Sequence, residues 1–264
     1  IANGLLPVFE SVFSITTDLT LLELSDFNHP LLQRLALETP GTFNHSLQVG
    51  YLSEAAAKSI KANSLKARVG SYYHDIGKLN KPDYFIENQN GENKHDNLSP
   101  HMSSLILSNH VREGVELGKR YRLPYEIIQV IQEHHGTTVM EYFFEKARSR
   151  DSNDQEFSES DFQYPGPKPR SKESVIVMLA DSVEAASRTL KSPSVSSLRN
   201  LVDKIFQNKI KSNQLSNSIL TLEELDLIKE SFVKILAGKF HNRIEYPDGD
   251  NKLKKEPTIA ADSK

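Results

Sequence analysis

Apolar residues recur at helical spacing along most of this chain. They return every three or four positions over residues 43–60 and again over residues 65–78. Ser99-Pro100 and Leu123-Pro124 each open a further helix, with proline near its first position. The same period predicts helices over residues 173–190, 194–210 and 221–240. No segment alternates clearly between apolar and polar residues, so the pattern predicts an all-α fold.

Polar and proline-rich stretches divide the chain into segments. Residues 1–40 are predicted to form an N-terminal helical lead-in, residues 41–245 the main domain, and residues 246–264 a disordered tail. The Asn-rich residues 80–98 are predicted to form a loop. Residues 148–173 are charged and then proline-rich, which predicts a long mobile loop that is dispensable for folding. Thr42 is the candidate N-cap of the helix over residues 43–60.

Composition excludes several classes of function. The chain has 264 residues, a formal net charge of -3 and no cysteine. It therefore lacks thiolate metal ligands and a cysteine nucleophile, and bulk binding of nucleic acid by electrostatics is not expected. No stretch approaches the roughly 18 consecutive apolar residues of a membrane span. Because the chain begins with Ile1, we interpret it as a piece of a longer protein whose remaining part could carry membrane segments.

Seven histidine and aspartate residues occupy the predicted helices in positions that suit metal binding. They are His45, the pair His74-Asp75, His110, the pair His134-His135, and Asp181. One metal ion does not need so many ligands, so the pattern indicates a dinuclear site. Imidazole and carboxylate groups without sulfur suit iron, manganese or zinc.

Some of these residues also have a purely structural interpretation. His45 lies on an apolar helix face and could pack in the core with a single hydrogen bond. Asp181 lies inside an apolar run and could pair with Arg188 instead of a metal. His101 is an alternative ligand to His110, although it could equally act at the start of its helix. These alternatives stay open at the level of the residues alone.

The constellation and its surrounding strings resemble the HD superfamily of metal-dependent phosphohydrolases. The strings YYHDIGKL, SNHVREG, IQEHHGTT and LADSVEAASR are similar to one branch in particular. That branch is the cytosolic HD domain of bacterial seven-transmembrane HD receptors, the PgpH-type cyclic di-AMP phosphodiesterases. The resemblance extends to about residue 240. The related cyclic di-GMP branch carries Gly-Tyr-Pro after its histidine pair, whereas Gly136-Thr137-Thr138 stands here.

The resemblance implies an HD-domain helical bundle with a dinuclear centre that uses iron or manganese. By this resemblance the ligands of one metal are His45, His74, Asp75 and Asp181, and those of the other are Asp75, His110, His134 and His135. Asp75 would bridge the two ions. Lys78 matches the family lysine that approaches the substrate phosphate. Thr137 and Thr138 are candidates to orient this phosphate. Arg188 is a weaker candidate, because it could pair with Glu184 one helical turn earlier.

The implied activity is hydrolysis of cyclic di-AMP to the linear dinucleotide pApA. Two metal ions about 3.5–4 Å apart would clamp the phosphate and activate a hydroxide. The alternatives are an HD-type nucleotidase or (d)NTP phosphohydrolase, and a catalytically silent nucleotide-sensing HD domain. The implied setting is the cytoplasmic domain of a membrane-anchored bacterial protein, attached through segments absent from this chain. A cyclic dinucleotide is the expected partner, and a homodimer is the candidate assembly.

Overall fold

Helices make up the fold of the chain. The computed structural model describes residues 16–89, 91–150 and 157–241. The α-helices of these ranges are α1 (Asp18–Leu24), α2 (Pro30–Glu38), α3 (Pro40–Ser59), α4 (Ser64–Tyr73), α5 (Pro100–Arg120), α6 (Tyr125–Glu133), α7 (Glu141–Arg150), α8 (Lys172–Ser187), α9 (Val195–Lys211) and α10 (Leu222–His241). These ranges contain no strand and only one isolated antiparallel bridge, between Val139 and Gln163. The prediction of an all-α fold is confirmed.

Two large apolar clusters form most of the core, and both include residues of α4 and α6. The larger cluster joins α3, α8, α9 and α10. The whole apolar run over residues 175–180 of α8 is buried, and all of it except Met178 belongs to this cluster. The second cluster joins α1, α2, α4 and α6, with Tyr73 and Ile127 fully buried. Removal of this apolar surface from water is the main favourable term in folding. None of the described helices is both long and apolar enough to cross a membrane.

Capping residues determine where several helices begin. The Ser99 hydroxyl accepts a hydrogen bond from the Met102 amide, and Pro100 occupies the first turn of α5, as its sequence predicts. The prediction that Thr42 caps its helix is wrong, because α3 already begins at Pro40. Thr42 lies inside the helix, where its hydroxyl donates to the Glu87 carboxylate at 3.1 Å.

The helix predicted over residues 65–78 ends earlier than expected. Helix α4 stops at Tyr73, and the chain turns at His74 and Asp75 into a 3-10 helix over Ile76–Asn80. This turn presses against α5, where a Cβ atom on Gly77 would lie 1.9 Å from the His110 carbonyl oxygen. Only glycine permits such an approach. The backbone around the histidine–aspartate pair is therefore fixed against the helix that carries His110.

The predicted mobile loop over residues 148–173 differs from the structure. Helix α7 continues to Arg150, and residues 151–156 lie outside the described residues. Beyond them, a 3-10 helix over Glu159–Phe162 buries Phe162 completely. The Arg170 side chain then donates to buried Glu133 at 2.6 Å. Residues 157–171 therefore make buried contacts with the rest of the domain, and the mobility and dispensability of the segment remain predictions.

The predicted ends of the chain are described only in part. Within the lead-in predicted over residues 1–40, α1 and α2 pack into the second apolar cluster. Residues 1–15 and the predicted tail over residues 246–264 lie outside the described residues. The domain boundaries at residues 40 and 245 remain predictions.

Candidate metal centre

The structure brings the seven candidate metal ligands together from separate elements. They fall into two groups, and within each group one ligand atom per residue lies within 4.8 Å of all the others. One group is His45, His74 and Asp181, and the other is Asp75, His110, His134 and His135. His101, the alternative ligand, is exposed, packs against Phe162 and belongs to neither group.

Asp75 lies between the two groups and presents one carboxylate oxygen to each. Its Oδ2 is 3.2 Å from His74 Nε2 and 3.7 Å from His45 Nε2. Its Oδ1 is 3.3 Å from His110 Nε2 and 3.7 Å from His134 Nε2. A carboxylate in this position can serve two cations at once.

Two buried polar atoms at the centre indicate whether these residues are suited to bind metal ions. Asp75 Oδ1 and His74 Nε2 are both inaccessible and make no hydrogen bond within the described structure. Burial of such atoms without a partner costs free energy, and a coordinated cation would supply the missing partner. The donor set, imidazole and carboxylate without sulfur, suits iron, manganese or zinc. The residues therefore fit a pair of divalent transition metals.

Three of the histidines are oriented by the same backbone contact. In each, Nδ1 donates to the carbonyl oxygen three residues earlier, at 2.5–2.8 Å. The three pairs are His74 with Ser71, His110 with Leu107, and His134 with Ile131. This hydrogen bond places the proton on Nδ1 and leaves Nε2 free as a metal ligand. The helical backbone thus fixes both the ring orientation and the tautomer.

His45 is oriented by a carboxylate instead of a carbonyl. Its Nδ1 donates to Glu184 at 2.6 Å, while its Nε2 lies 3.0 Å from Asp181 Oδ1. Burial alone would lower the pKa of His45, but the hydrogen bonds to Asp181 and Glu184 outweigh it and raise the pKa to about 9. Without a metal His45 is therefore a cation, and it must lose a proton before Nε2 can coordinate.

The charge states of the other groups favour coordination. Burial lowers the pKa of His134 to about 3 and also lowers the pKa of His135. Burial alone would raise the pKa of Asp75, but His74 and Lys78 hold this pKa well below its usual value. Neutral imidazoles and an ionised carboxylate are the forms that bind metals.

A cavity of about 370 Å³ opens onto this centre. Lys78 lines it, and its Nζ lies 2.7 Å from both Asp75 Oδ2 and Glu87 Oε1. Tyr164 also lines this cavity, and its ring stacks on the imidazole of His135 with the ring centroids 4.0 Å apart. The cavity therefore combines the metal ligands with two lysine cations, Lys78 and Lys209, and with the aromatic rings of Phe85 and Tyr164.

The other predicted substrate-binding residues lie in different surroundings. Thr138 and Arg188 line the metal cavity, whereas Thr137 lines a neighbouring one and bonds to Gln214 through its amide and hydroxyl. Arg188 pairs with Glu184 at 2.8 Å, which is the alternative considered for it. Asp181 makes no ion pair with Arg188 and contacts histidines instead.

Sequence reasoning missed several residues of the site, among them Glu184, Tyr164 and Lys209. Glu184 shares a helix face with Asp181, so its spacing could have indicated a role in orienting a ligand. Tyr164 lies in the proline-rich stretch that was predicted to be a mobile loop. Lys209 lines the cavity from α9, and no local signal in the sequence indicates this. Its position depends on how α9 packs beside α8.

The fold and this centre define the class of the protein. The family model described as HD domain matches residues 42–186, and the chain belongs to this family. HD domains are metal-dependent, and the two ligand groups described above could hold metal ions.

Two curated relatives are similar to this chain over most of its length. The chain is 46% identical over 252 residues to the cyclic-di-AMP phosphodiesterase PgpH of Bacillus subtilis (strain 168), an alignment that covers 95% of this chain and 35% of the relative. It is 41% identical to the PgpH of Listeria monocytogenes, with 93% of this chain and 34% of the relative covered. The chain thus spans about a third of the length of these curated relatives.

A solved structure shares the fold. The crystal structure of the Listeria monocytogenes PgpH HD domain in complex with cyclic-di-AMP matches with a TM-score of 0.78 and 40% identity. The match covers 83% of this chain and 100% of that chain. The HD-domain architecture expected from the motifs is confirmed.

Proposed function

We propose that this chain is a metal-dependent phosphodiesterase that hydrolyses cyclic di-AMP to pApA. The observation that carries the proposal is the position of Asp75 between two groups of ligands, with one carboxylate oxygen facing each. The similarity to the PgpH phosphodiesterases supports the choice of substrate. All seven candidate ligands are present, which argues against a catalytically silent domain.

The residues of the centre have distinct roles in this proposal. His45, His74, Asp75, His110, His134, His135 and Asp181 would hold two divalent ions, with iron or manganese as the proposed metals. When bound, such a pair clamps phosphate oxygens and supplies a hydroxide near neutral pH. Lys78 uses two of its ammonium hydrogens on Asp75 and Glu87 and has a third for a phosphate oxygen in the cavity. Thr138 and Arg188 are the further candidates for this phosphate.

A substrate panel tests the assignment. With manganese present, we expect the protein to turn over cyclic di-AMP faster than cyclic di-GMP, dATP or AMP, with pApA as the product on chromatography. An Asp75→Ala variant should lose hydrolysis and retain well below two metal equivalents. Asp83→Ala is the control, because Asp83 is exposed and lies outside the cavity lining. Turnover of the mononucleotides alone would support the nucleotidase alternative and contradict the proposal.

We also propose that the chain is the cytoplasmic domain of a membrane-anchored bacterial protein. Its span of about a third of the PgpH relatives supports a place within a larger protein. Fractionation of cells that express the full-length protein tests the anchor, and recovery in the soluble fraction would contradict it. A homodimer remains a prediction, which light scattering on the purified chain can check.

A further inference from the structure

Lys209 is a buried cation with no ion-pair partner in the part of the chain that the structure describes. The residue is only 8% exposed, and the side-chain Nζ donates one hydrogen bond, to the Thr138 hydroxyl at 2.9 Å. Lys209 forms no ion pair within the described residues, whereas the partly buried Lys78 contacts both Asp75 and Glu87. A desolvated ammonium without an anion is costly, and burial lowers the pKa of Lys209 to about 8. Such a group is suited to bind an anion that arrives from solution.

Lys209 lies where two cavities meet. The first is the cavity of about 370 Å³ at the metal centre, and the second is a neighbouring cavity of about 800 Å³. Thr138, Ser182 and Lys209 line both. Pockets for small ligands commonly measure about 300–1,000 Å³, so each cavity is large enough to accept part of a ligand that extends from one to the other.

The neighbouring cavity has the chemistry expected of a nucleotide site. Lys168 lines it, is half-buried and forms no ion pair within the described part of the chain. Gln163 and Asn208 also line it, and their side-chain amides make no hydrogen bond within the residues that the structure describes. Asparagine and glutamine amides match the hydrogen-bonding edge of adenine. Two acidic residues of the lining, Glu141 and Glu159, are exposed and can point their charges into solvent.

We propose that Lys209 and the neighbouring cavity form the subsite for the second nucleotide of a cyclic dinucleotide. While one phosphodiester lies at the metal centre, Lys209 holds the other, and the second nucleoside occupies the space beside Gln163 and Asn208. This inference rests on the proposed function, since it presupposes a substrate with two phosphodiester groups. It assigns the selectivity for a dinucleotide to residues outside the metal centre.

The test compares a substrate that needs both cavities with one that needs only the first. Cyclic di-AMP needs both, whereas bis(p-nitrophenyl) phosphate has a single phosphodiester. We expect Lys209→Met to lower the ratio of kcat/KM for cyclic di-AMP to kcat/KM for the small ester by about tenfold or more, because a hydrogen-bonded charge is lost. The fall should come mainly from a higher KM for cyclic di-AMP. Lys209→Arg keeps the charge and should restore most of the ratio.

A binding measurement supplies a readout besides activity. By calorimetry on the metal-loaded protein, we expect pApA to bind more tightly than AMP, because AMP fills one cavity only. Lys209→Met should remove most of this difference. Lys204→Met is the matched control, since Lys204 is exposed on the same helix and lines neither cavity. If Lys209→Met does not fold, Lys168→Met serves in its place and should lower the same ratio.

The outcomes separate this inference from the proposed function. One outcome is that the unaltered protein cleaves cyclic di-AMP while the Lys209 and Lys168 variants keep its ratio of the two kcat/KM values. In that case the subsite is wrong and the proposed function stands. A parallel loss with both substrates would indicate a structural role for Lys209 and also reject the subsite. If the unaltered protein cleaves only the small ester, both proposals fail.

Discussion

Individual ligands at this centre are oriented by short hydrogen bonds to atoms that carry no catalytic role. Three histidines use a carbonyl oxygen of the preceding helical turn, which comes with the helix whatever its side chains are. His45 depends instead on Glu184, whose carboxylate is also held by Arg188 at 2.8 Å. The orientation of His45 can therefore be changed by one substitution that leaves every candidate ligand in place.

The first prediction concerns Glu184. Replacement Glu184→Gln keeps a hydrogen-bond acceptor for His45 Nδ1 but removes the negative charge that makes this imidazole a better ligand. Loss of such an orienting carboxylate commonly weakens metal binding by about 10–100-fold. We expect a fall of this size when manganese affinity is measured by competition with a chelator.

The control for this prediction lies on the same helix. Glu173 in α8 forms an ion pair with Lys66 and lies outside the metal cavity, so Glu173→Gln should retain the manganese affinity of the unaltered protein. Equal affinities in the two variants would show that Glu184 does not support the metal centre.

At the level of elements, helix type was predictable and helix ends were less so. The apolar period correctly places α3, α5 and α8 and the histidine or aspartate that each contributes. It fails at His74 and Asp75, where it continues a helix that in fact stops. The reason is tertiary, because the chain turns to bring Gly77 against α5. A local pattern contains no information about this contact between residues distant in sequence.

The same limit applies to the residues around the cavity. The adjacent histidines and the His-Asp pair could be recognised because their types and spacing are unusual for a packed core. Lys209 and Tyr164 have no such signature and reach the cavity only through the packing of α9 and the segment over residues 157–171. Their roles follow from three-dimensional proximity alone.

Gly77 provides a prediction at this scale. A Cβ atom at Gly77 would lie 1.9 Å from the His110 carbonyl oxygen and 2.5 Å from the Gly114 amide nitrogen. Gly77→Ala must push the turn that carries Asp75 away from α5. Overpacking of this kind typically costs about 1–3 kcal/mol or more, and we expect such a fall in the free energy of unfolding together with weaker manganese binding.

A second glycine gives the matched control. Gly238 lies in the exposed part of α10, and a Cβ atom there would meet nothing within 4 Å. Gly238→Ala should leave metal binding unchanged and raise stability by about 0.5–1 kcal/mol, because alanine favours a helix. Chemical denaturation and metal titration of both variants test the comparison, and normal manganese binding by Gly77→Ala would contradict the close-contact argument.

Phe162 tests whether the segment over residues 157–171 is needed for folding. Its side chain is fully buried with Met140 and Phe143, so Phe162→Ala leaves a cavity. Such a change typically costs about 3–5 kcal/mol. Because Tyr164 follows in the chain and stacks on His135, we also expect slower hydrolysis. Ser160→Ala, at an exposed position of the same turn, should alter neither property. Full stability in Phe162→Ala would support the prediction of a dispensable loop.

For the whole molecule, the metal centre connects helices that belong to both apolar clusters. Its candidate ligands come from α3, the end of α4, α5, the end of α6, and α8. Metal ions that bind the folded chain and not the unfolded one stabilise it by mass action. The size of this stabilisation depends on how strongly protons compete with the metal for the ligands. For His45 this competition takes place between neutral pH and about pH 9, because its pKa is about 9.

The final prediction follows from the pKa of His45. Because Asp181 and Glu184 raise this pKa from 6.5 to about 9 despite burial, the charged imidazole stabilises the metal-free fold fully below pH 6.5. This contribution is lost as the pH rises towards 9. Over the same interval protons compete less with the metal, so the increase in Tm caused by manganese should grow from pH 6.5 to 9. Calorimetry with manganese and with chelator measures this difference at each pH.

The Glu184→Gln variant isolates the contribution of His45 from that of other groups. Lys209 also titrates near this range, because burial lowers its pKa to about 8, and it is present in both proteins. The variant lacks one of the anions that raise the pKa of His45, the others being Asp181 and Asp75, so its manganese-dependent gain in Tm should develop at lower pH than in the unaltered protein. A gain that is constant from pH 6.5 to 9, or identical in the two proteins, would mean that His45 does not exchange its proton for a metal ion.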